Sequence, residues 1–130
     1  MLALRSAVFV VEQTCVFLDA DGVDRDAWHL LGRTDSGELQ AVLRIVDPGI
    51  KYAEPSIGRV ISAPSVRATG VGRALVQEGI HRCRSLWPGQ AIRISAQARL
   101  ERFYSNLGFA TVSEPYLEDD IPHVEMLLTP

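Results

Sequence analysis

The first apolar positions that keep a helical step are Leu4, Val8 and Val11, which predict a short helix over residues 2–11. The stretch EQTCVFLDADGVDRD then dissolves into acidic loop chemistry. From residue 28 the period shortens to two. WHLLGRTDSGELQAVLRIVD reads as a hairpin around the turn formers Asp35, Ser36 and Gly37, with Leu39, Ala41, Leu43 and Ile45 alternating on one side. Pro48, Gly49 and Pro55 make DPGIKYAEP a connection, and the β-branched IGRVIS follows as a strand. Between Gly70 and Leu86 the apolar residues Val71, Leu75, Val76, Ile80 and Cys83 recur at three- and four-residue steps, the stripe of an amphipathic helix that Pro88 and Gly89 end. AIRIS predicts another strand. ARLERFYSNLGF predicts a second helix with Leu100, Phe103 and Leu107 on one face and Gly108 as its left-handed cap, before two last strands near FATVSE and HVEMLL.

Strands and helices alternate through the second half, so the expected class is α/β or α+β, with helices packed on a central sheet. At 130 residues the chain fits one domain spanning 1–130, and its 47% hydrophobic content is enough for an ordinary core. A net charge of −3 gives no broad cationic field, which argues against a nucleic-acid module and against an anionic membrane as partner. Cys15 and Cys83 lack the close Cys/His spacing of a zinc site and read as reduced packing residues, so no metal is expected. Arg5 and Glu12 interrupt the apolar start, no secretion signal or membrane-spanning run is evident, and a cytoplasmic protein is the default expectation.

The chemistry concentrates where IGRVIS runs through APSV into RATGVGRAL, because Arg67, Gly70 and Gly72 fall just where a helix begins. Free N–H groups in a first helical turn point outward, the macrodipole places about +0.5 charge there, and glycines let an oxygen-rich ligand approach the backbone. Arg67 adds a fixed cation suited to a phosphate. Alone, Gly-x-Gly before a helix reads equally well as a tight turn. No Gly-Lys-Ser/Thr follows and the third glycine of a dinucleotide fingerprint is absent, which excludes two other nucleotide loops.

Arg67-Ala68-Thr69-Gly70-Val71-Gly72 resembles the Arg/Gln-x-x-Gly-x-Gly/Ala signature of the GNAT acyltransferase superfamily, and Phe103-Tyr104 with Leu107-Gly108-Phe109 resembles its later helix and strand. LRSAVFVVEQTC, IGRVI, SAQARLERFY and the DDIPH segment are similar to its ElaA-like branch, so the likeness spans nearly the whole chain. The resemblance implies a mixed, mostly antiparallel sheet flanked by helices, and acetyl-CoA as cosubstrate. It also implies an N-acetyltransferase that moves the acetyl group to a primary amine of a small molecule or peptide. Residue by residue, it places the pyrophosphate on the amides of Val71, Gly72 and Arg73 at the Gly70 bend, with Arg67 and Arg73 assisting. Val60 and Ile61 become main-chain partners of pantetheine, Phe103 lies on the cofactor side, and Tyr104 stands near the thioester sulfur, where its phenol can protonate the thiolate. The family's usual first strand has no counterpart before the opening helix. Homodimerisation or another segment would then cover the exposed edge.

An ammonium cannot attack a thioester, so the resemblance also calls for a proton acceptor, and Glu12, His123, Asp19 and Asp21 are the candidates. Each has a plainer reading: Glu12 as a solvated helix end, His123 as a satisfied strand-edge imidazole, Tyr104 as aromatic packing beside Phe103, and Asp119 with Asp120 as a solvated turn. Arg44 and Arg59 either line the acceptor cleft or cover a sheet face, while Trp28 and His29 read as packing and strand pairing. Two alternatives keep the loop: a non-catalytic acyl-CoA sensor, and an acyl-homoserine-lactone synthase-like enzyme, whose chains are typically longer.

Overall fold

A computed structural model describes residues 1–12, 21–67 and 69–130, with 10–12 given by their backbone. The opening pattern does wind into a helix, α1 (Leu2–Ser6), but the winding loosens into a π-helical stretch over Ala7–Glu12. Val8 is buried against Val42 and Ile61, with Leu4 and Phe9 beside them, which explains the apolar spacing. The side chain of Val11, and Cys15, lie outside the described residues.

The strands are β1 (Trp28–Arg33), β2 (Leu39–Val46), β3 (Ser56–Ser62), β4 (Ile92–Gln97), β5 (Ala110–Thr111), β6 (Tyr116–Glu118) and β7 (Ile121–Leu128), and the remaining helices are α2 (Val71–Leu86) and α3 (Glu101–Ser105). They form one seven-stranded sheet in the order β1-β2-β3-β4-β7-β5, with β6 also on β7. Only β3 and β4 are parallel, and α2 lies between them in the chain, as a parallel connection requires. The sheet is therefore mixed and mostly antiparallel with helices against it, the class expected.

Ala41, Leu43 and Ile45 of β2 and Ile57 of β3 face the α2 stripe of Leu75, Val76, Ile80 and Cys83, and Ile92, Ile94, Val124 and Met126 extend this core across the sheet. The fit is close at Gly79, where an added Cβ would stand 2.9 Å from Leu43 Cδ2 and 3.4 Å from Ile57 Cδ1. Burial pushes the Cys83 thiol up to about 12, so it packs as an inert apolar group, as its sequence context implies. The alternating pattern understates β2, whose Val42, Arg44 and Val46 are buried as well, because the N-terminal helical stretch packs on its other face.

Four expectations are corrected. Trp28 pairs with Ile45 as a strand residue but is 53% exposed, and its indole N–H donates to Asp47 Oδ1 at 3.0 Å, so it brackets the surface rather than packing the core. FATVSE contributes only Ala110–Thr111, since the Ser113 hydroxyl accepts from the Glu125 N–H at 2.8 Å where a ladder carbonyl would stand. The three residues of β6 escaped the pattern altogether; they join β7 through Asp119 and Asp120, whose φ of 51° and 62° are those of a tight hairpin turn that aspartate tolerates. The second helix is shorter than its apolar face suggests, a 3-10 turn over Ala98–Leu100 leading into α3, though Gly108 at φ 102° does stop it.

Candidate active site

The sheet parts where β3 meets β4. Ser56 stands opposite Arg93, and beyond that rung the two strands share no further partners among the described residues. Farther along, β3 stays paired with β2 through Val42↔Ile61 and Ala41↔Ser62, while β4 keeps its full ladder with β7. The main-chain groups of the distal half of β3 on its β4 side thus face an opening rather than a strand. A bulge sharpens the divergence: two steps of β2, from Arg44 to Val42, oppose three of β3, from Gly58 to Ile61, and Arg59 within it has φ 49°. A left-handed non-glycine residue costs about 1 kcal/mol, and such bulges gather at sites where a strand must turn away.

Two contiguous hollows occupy the opening. The larger, about 620 Å³, is lined by Val60, Ile61 and Ser62 on the β3 side, by Gln97, Arg99 and Leu100 on the other, and by Arg67. Three of the residues assigned to the cofactor, Val60, Ile61 and Arg67, are therefore together. The smaller, about 90 Å³, shares Phe9, Val60, Gln97, Leu100 and Ile121 with it and continues past Arg59, Tyr104 and His123.

The glycine bend lies outside the lining of both hollows, where the chain leaves β3. Gly70 is the N-cap of α2 at φ 86°, without a side-chain cap and with no acidic residue in the first turn. A Cβ at Gly70 or Gly72 would meet nothing within 4 Å, so this surface is open rather than packed, and the amides of Val71, Gly72 and Arg73 begin the helix there. Arg67 is held beside it by an Nε–H bond to the Ser62 carbonyl at 3.1 Å. Phe103, also assigned to the cofactor, packs on the core edge-on to Tyr104 and lines neither hollow.

Tyr104 is 7% exposed, wedged edge-on between Phe103 and Phe109, yet it borders the smaller hollow. Burial raises its phenol to about 12 against a smaller opposing pull from Arg99, so it stays protonated at neutral pH. It packs and faces the site at once. His123, 7% exposed, donates through Nδ1 to the Ile121 carbonyl at 2.7 Å, which directs Nε2 to Glu118 Oε2 at 3.3 Å. Tyr116 stacks on its ring and bonds Ser95. Glu118 was missed by sequence reasoning because its role depends on β6, whose three residues carry no periodicity.

The proton-acceptor candidates separate. The Glu12 side chain and Asp19 lie outside the described residues. Asp21 bonds Arg44 Nη1 at 2.8 Å, lies 3.6 Å from Arg59 Nη2 and caps Val23, so it is committed to cations. Arg44 does line the smaller hollow while 2% exposed, and Asp24 bridges it to the buried Arg5 at 3.1 and 2.6 Å. No group of three His, Cys, Asp or Glu suited to a metal occurs among the described residues. No helix among them is long and apolar enough to cross a membrane.

The chain resembles known proteins along nearly its whole length. A UPF0039 protein of Synechocystis sp. is 46% identical over 98% of this chain and 82% of its own. Protein ElaA of Escherichia coli is 41% identical over 97% and 83%, and its crystal structure superposes with a TM-score of 0.89, covering 98% of this chain and 86% of that one. The structure of an acyl-CoA N-acyltransferase from Pseudomonas aeruginosa matches with a TM-score of 0.91 at 42% identity, covering 98% and 87%. Residues 25–130 match the family described as acetyltransferase (GNAT) domain, and with these relatives the chain belongs to that family, in its ElaA-like branch, as an acyltransferase built to use an acyl-CoA.

Proposed function

We propose that the protein transfers an acetyl group from acetyl-CoA to the primary amine of a small molecule by direct attack. The observation that carries this reading is the gap between β3 and β4, lined by Val60 and Ile61 beside Arg67 and opposite Arg99, where β3 has no β4 partner among the described residues. A pantetheine arm has the amides to bond such a strand edge, and a diphosphate has the charge and oxygens for the uncapped first turn of α2. The bare Gly70 and Gly72 leave room for it, so the residues fit the cosubstrate.

The acetyl group then belongs at the wall shared by the two hollows, near Val60 and Leu100, with the amine entering through the smaller. The His123–Glu118 pair takes the amine's proton: with Nδ1 donating to a carbonyl, a proton gained at Nε2 makes an imidazolium that the carboxylate stabilises. The amine lone pair attacks the thioester carbonyl, the C–S bond breaks, the thiolate receives the Tyr104 proton, the second proton shed by the new amide nitrogen restores the Tyr104 phenol, and the His123 proton passes to solvent. Holding both reactants in one cleft supplies much of the acceleration.

Calorimetric titration of acetyl-CoA into wild type and Gly70→Glu tests the cosubstrate site. The substitution sets a carboxylate among the helix amides, so affinity should fall roughly 100-fold while circular dichroism stays folded. Gly70→Asn, which accepts φ near 86° more readily, controls for backbone strain and should retain much of the affinity. Equal affinity in the glutamate variant, or no heat with wild type, would overturn the assignment.

A further inference from the structure

The smaller hollow is charged unevenly. Arg44, Arg59 and Lys51 line it together with Glu118, Asp119 and His123. Most of these charges are answered within the protein: Arg44 by Asp21 and Asp24, Arg59 by Asp21, and His123 by Glu118. Lys51 makes no ion pair or hydrogen bond among the described residues and stands exposed at the rim, in the connection before β3. Burial of its stem lowers its pKa, Arg44 and Arg59 lower it further, and Glu118 and Asp21 pull the other way. With Arg44 and Arg59 matched by Asp21 and Asp24, Lys51 is the cation of this hollow that has no ion-pair partner among the described residues.

Lys51 and His123 line the same hollow from separate segments, one before β3 and the other on β7. His123 pairs across the sheet with Gln97, which lines both hollows, whereas Lys51 precedes Ser56, where β3 begins. From Ser56 to Val60 the strand advances on the order of 10 Å. A small amine held with its nitrogen at His123 therefore extends toward Lys51. At about 90 Å³ the space is far below the roughly 300–1,000 Å³ of a drug-sized ligand site, so the acceptor is small.

Resting on the acetyltransferase reading above, we propose that the acceptor is a small amino acid, its amine at His123–Glu118 and its carboxylate received by the Lys51 ammonium. A diamine would bring its second cation against Lys51, which opposes it.

Thiol release from acetyl-CoA, measured with glycine, β-alanine and γ-aminobutyrate, each against its carboxamide, and with putrescine, tests the inference. For at least one chain length the acid should exceed its amide in kcat/KM by roughly tenfold or more, mainly through KM. In Lys51→Met that ratio should fall toward one, and Lys51→Arg should keep most of it, which loss of folding alone would not do. Amides or putrescine matching the acids at every length would overturn the proposal, as would a preference that survives in Lys51→Met. So would turnover confined to amines without a carboxylate, or no turnover of any of these amines by protein that binds acetyl-CoA. Failure to bind acetyl-CoA would instead sink the function on which the proposal rests.

Discussion

Tyr104 is packed in the core yet borders the smaller hollow, and the proposed mechanism asks it to donate a proton there. Its ring is fixed by edge contacts to Phe103 and Phe109, so the phenol oxygen can be removed with little disturbance of packing. Tyr104→Phe should leave acetyl-CoA affinity and thermal stability near wild type while lowering kcat roughly 100-fold, the usual share of a positioned acid. Burial raises the phenol, so the donating, protonated form persists as pH rises until about 12. Any alkaline decline of kcat at lower pH must then come from another group, and Tyr104→Phe should leave that decline in place. A variant with full kcat would remove Tyr104 as the acid.

Among the elements, α2 was readable because its apolar stripe runs unbroken from Val71 to Cys83, and β2 because its core face alternates regularly even though its other face is buried as well. Gly79 is a point where α2 lies close on the sheet, a Cβ there standing 2.9 Å from Leu43 Cδ2. Gly79→Val would drive branched methyls into Leu43 and Ile57, and should cost about 2 kcal/mol in urea unfolding without changing the acetyl-CoA site. A cost below about 0.5 kcal/mol would mean that α2 rides farther from the sheet than its contacts imply. The glycine bend and Tyr104 were legible because a short motif fixes them locally. Glu118, Lys51 and Arg99 were not, since strand pairing and a sheet opening bring them to the two adjoining hollows from three separate segments. Arg5 and Arg44 were opaque for a related reason: sequence favours charges outside, and only tertiary partners let them be buried.

At the scale of the whole molecule, Asp24 ties the N-terminal helix to β2 through Arg5 and Arg44. Burial opposes its charge, but hydrogen bonds from Arg5, the Asp21 N–H and Arg44 prevail and hold its carboxyl well below the ordinary range. Asp24→Ala should therefore cost about 3 kcal/mol near neutral pH, since it strips a shared anion from two buried guanidiniums. A depressed carboxyl stabilises above its unfolded pKa, near 4, and loses that contribution as pH falls toward the folded value. The gap between wild type and variant in urea midpoint should accordingly hold from pH 7 to about 5 and narrow in stronger acid. A gap that widened on acidification would contradict the sign. The divergence of β3 from β4 has a mechanical consequence as well. Pinned near the rung of Ser56 and Arg93, where the Arg93 guanidinium also grips Glu54 at 3.1 and 3.0 Å, the sheet is two plates meeting at a corner over a shared apolar interior. Whatever lies along both lips of that fissure works as a splint, so occupancy and rigidity rise together.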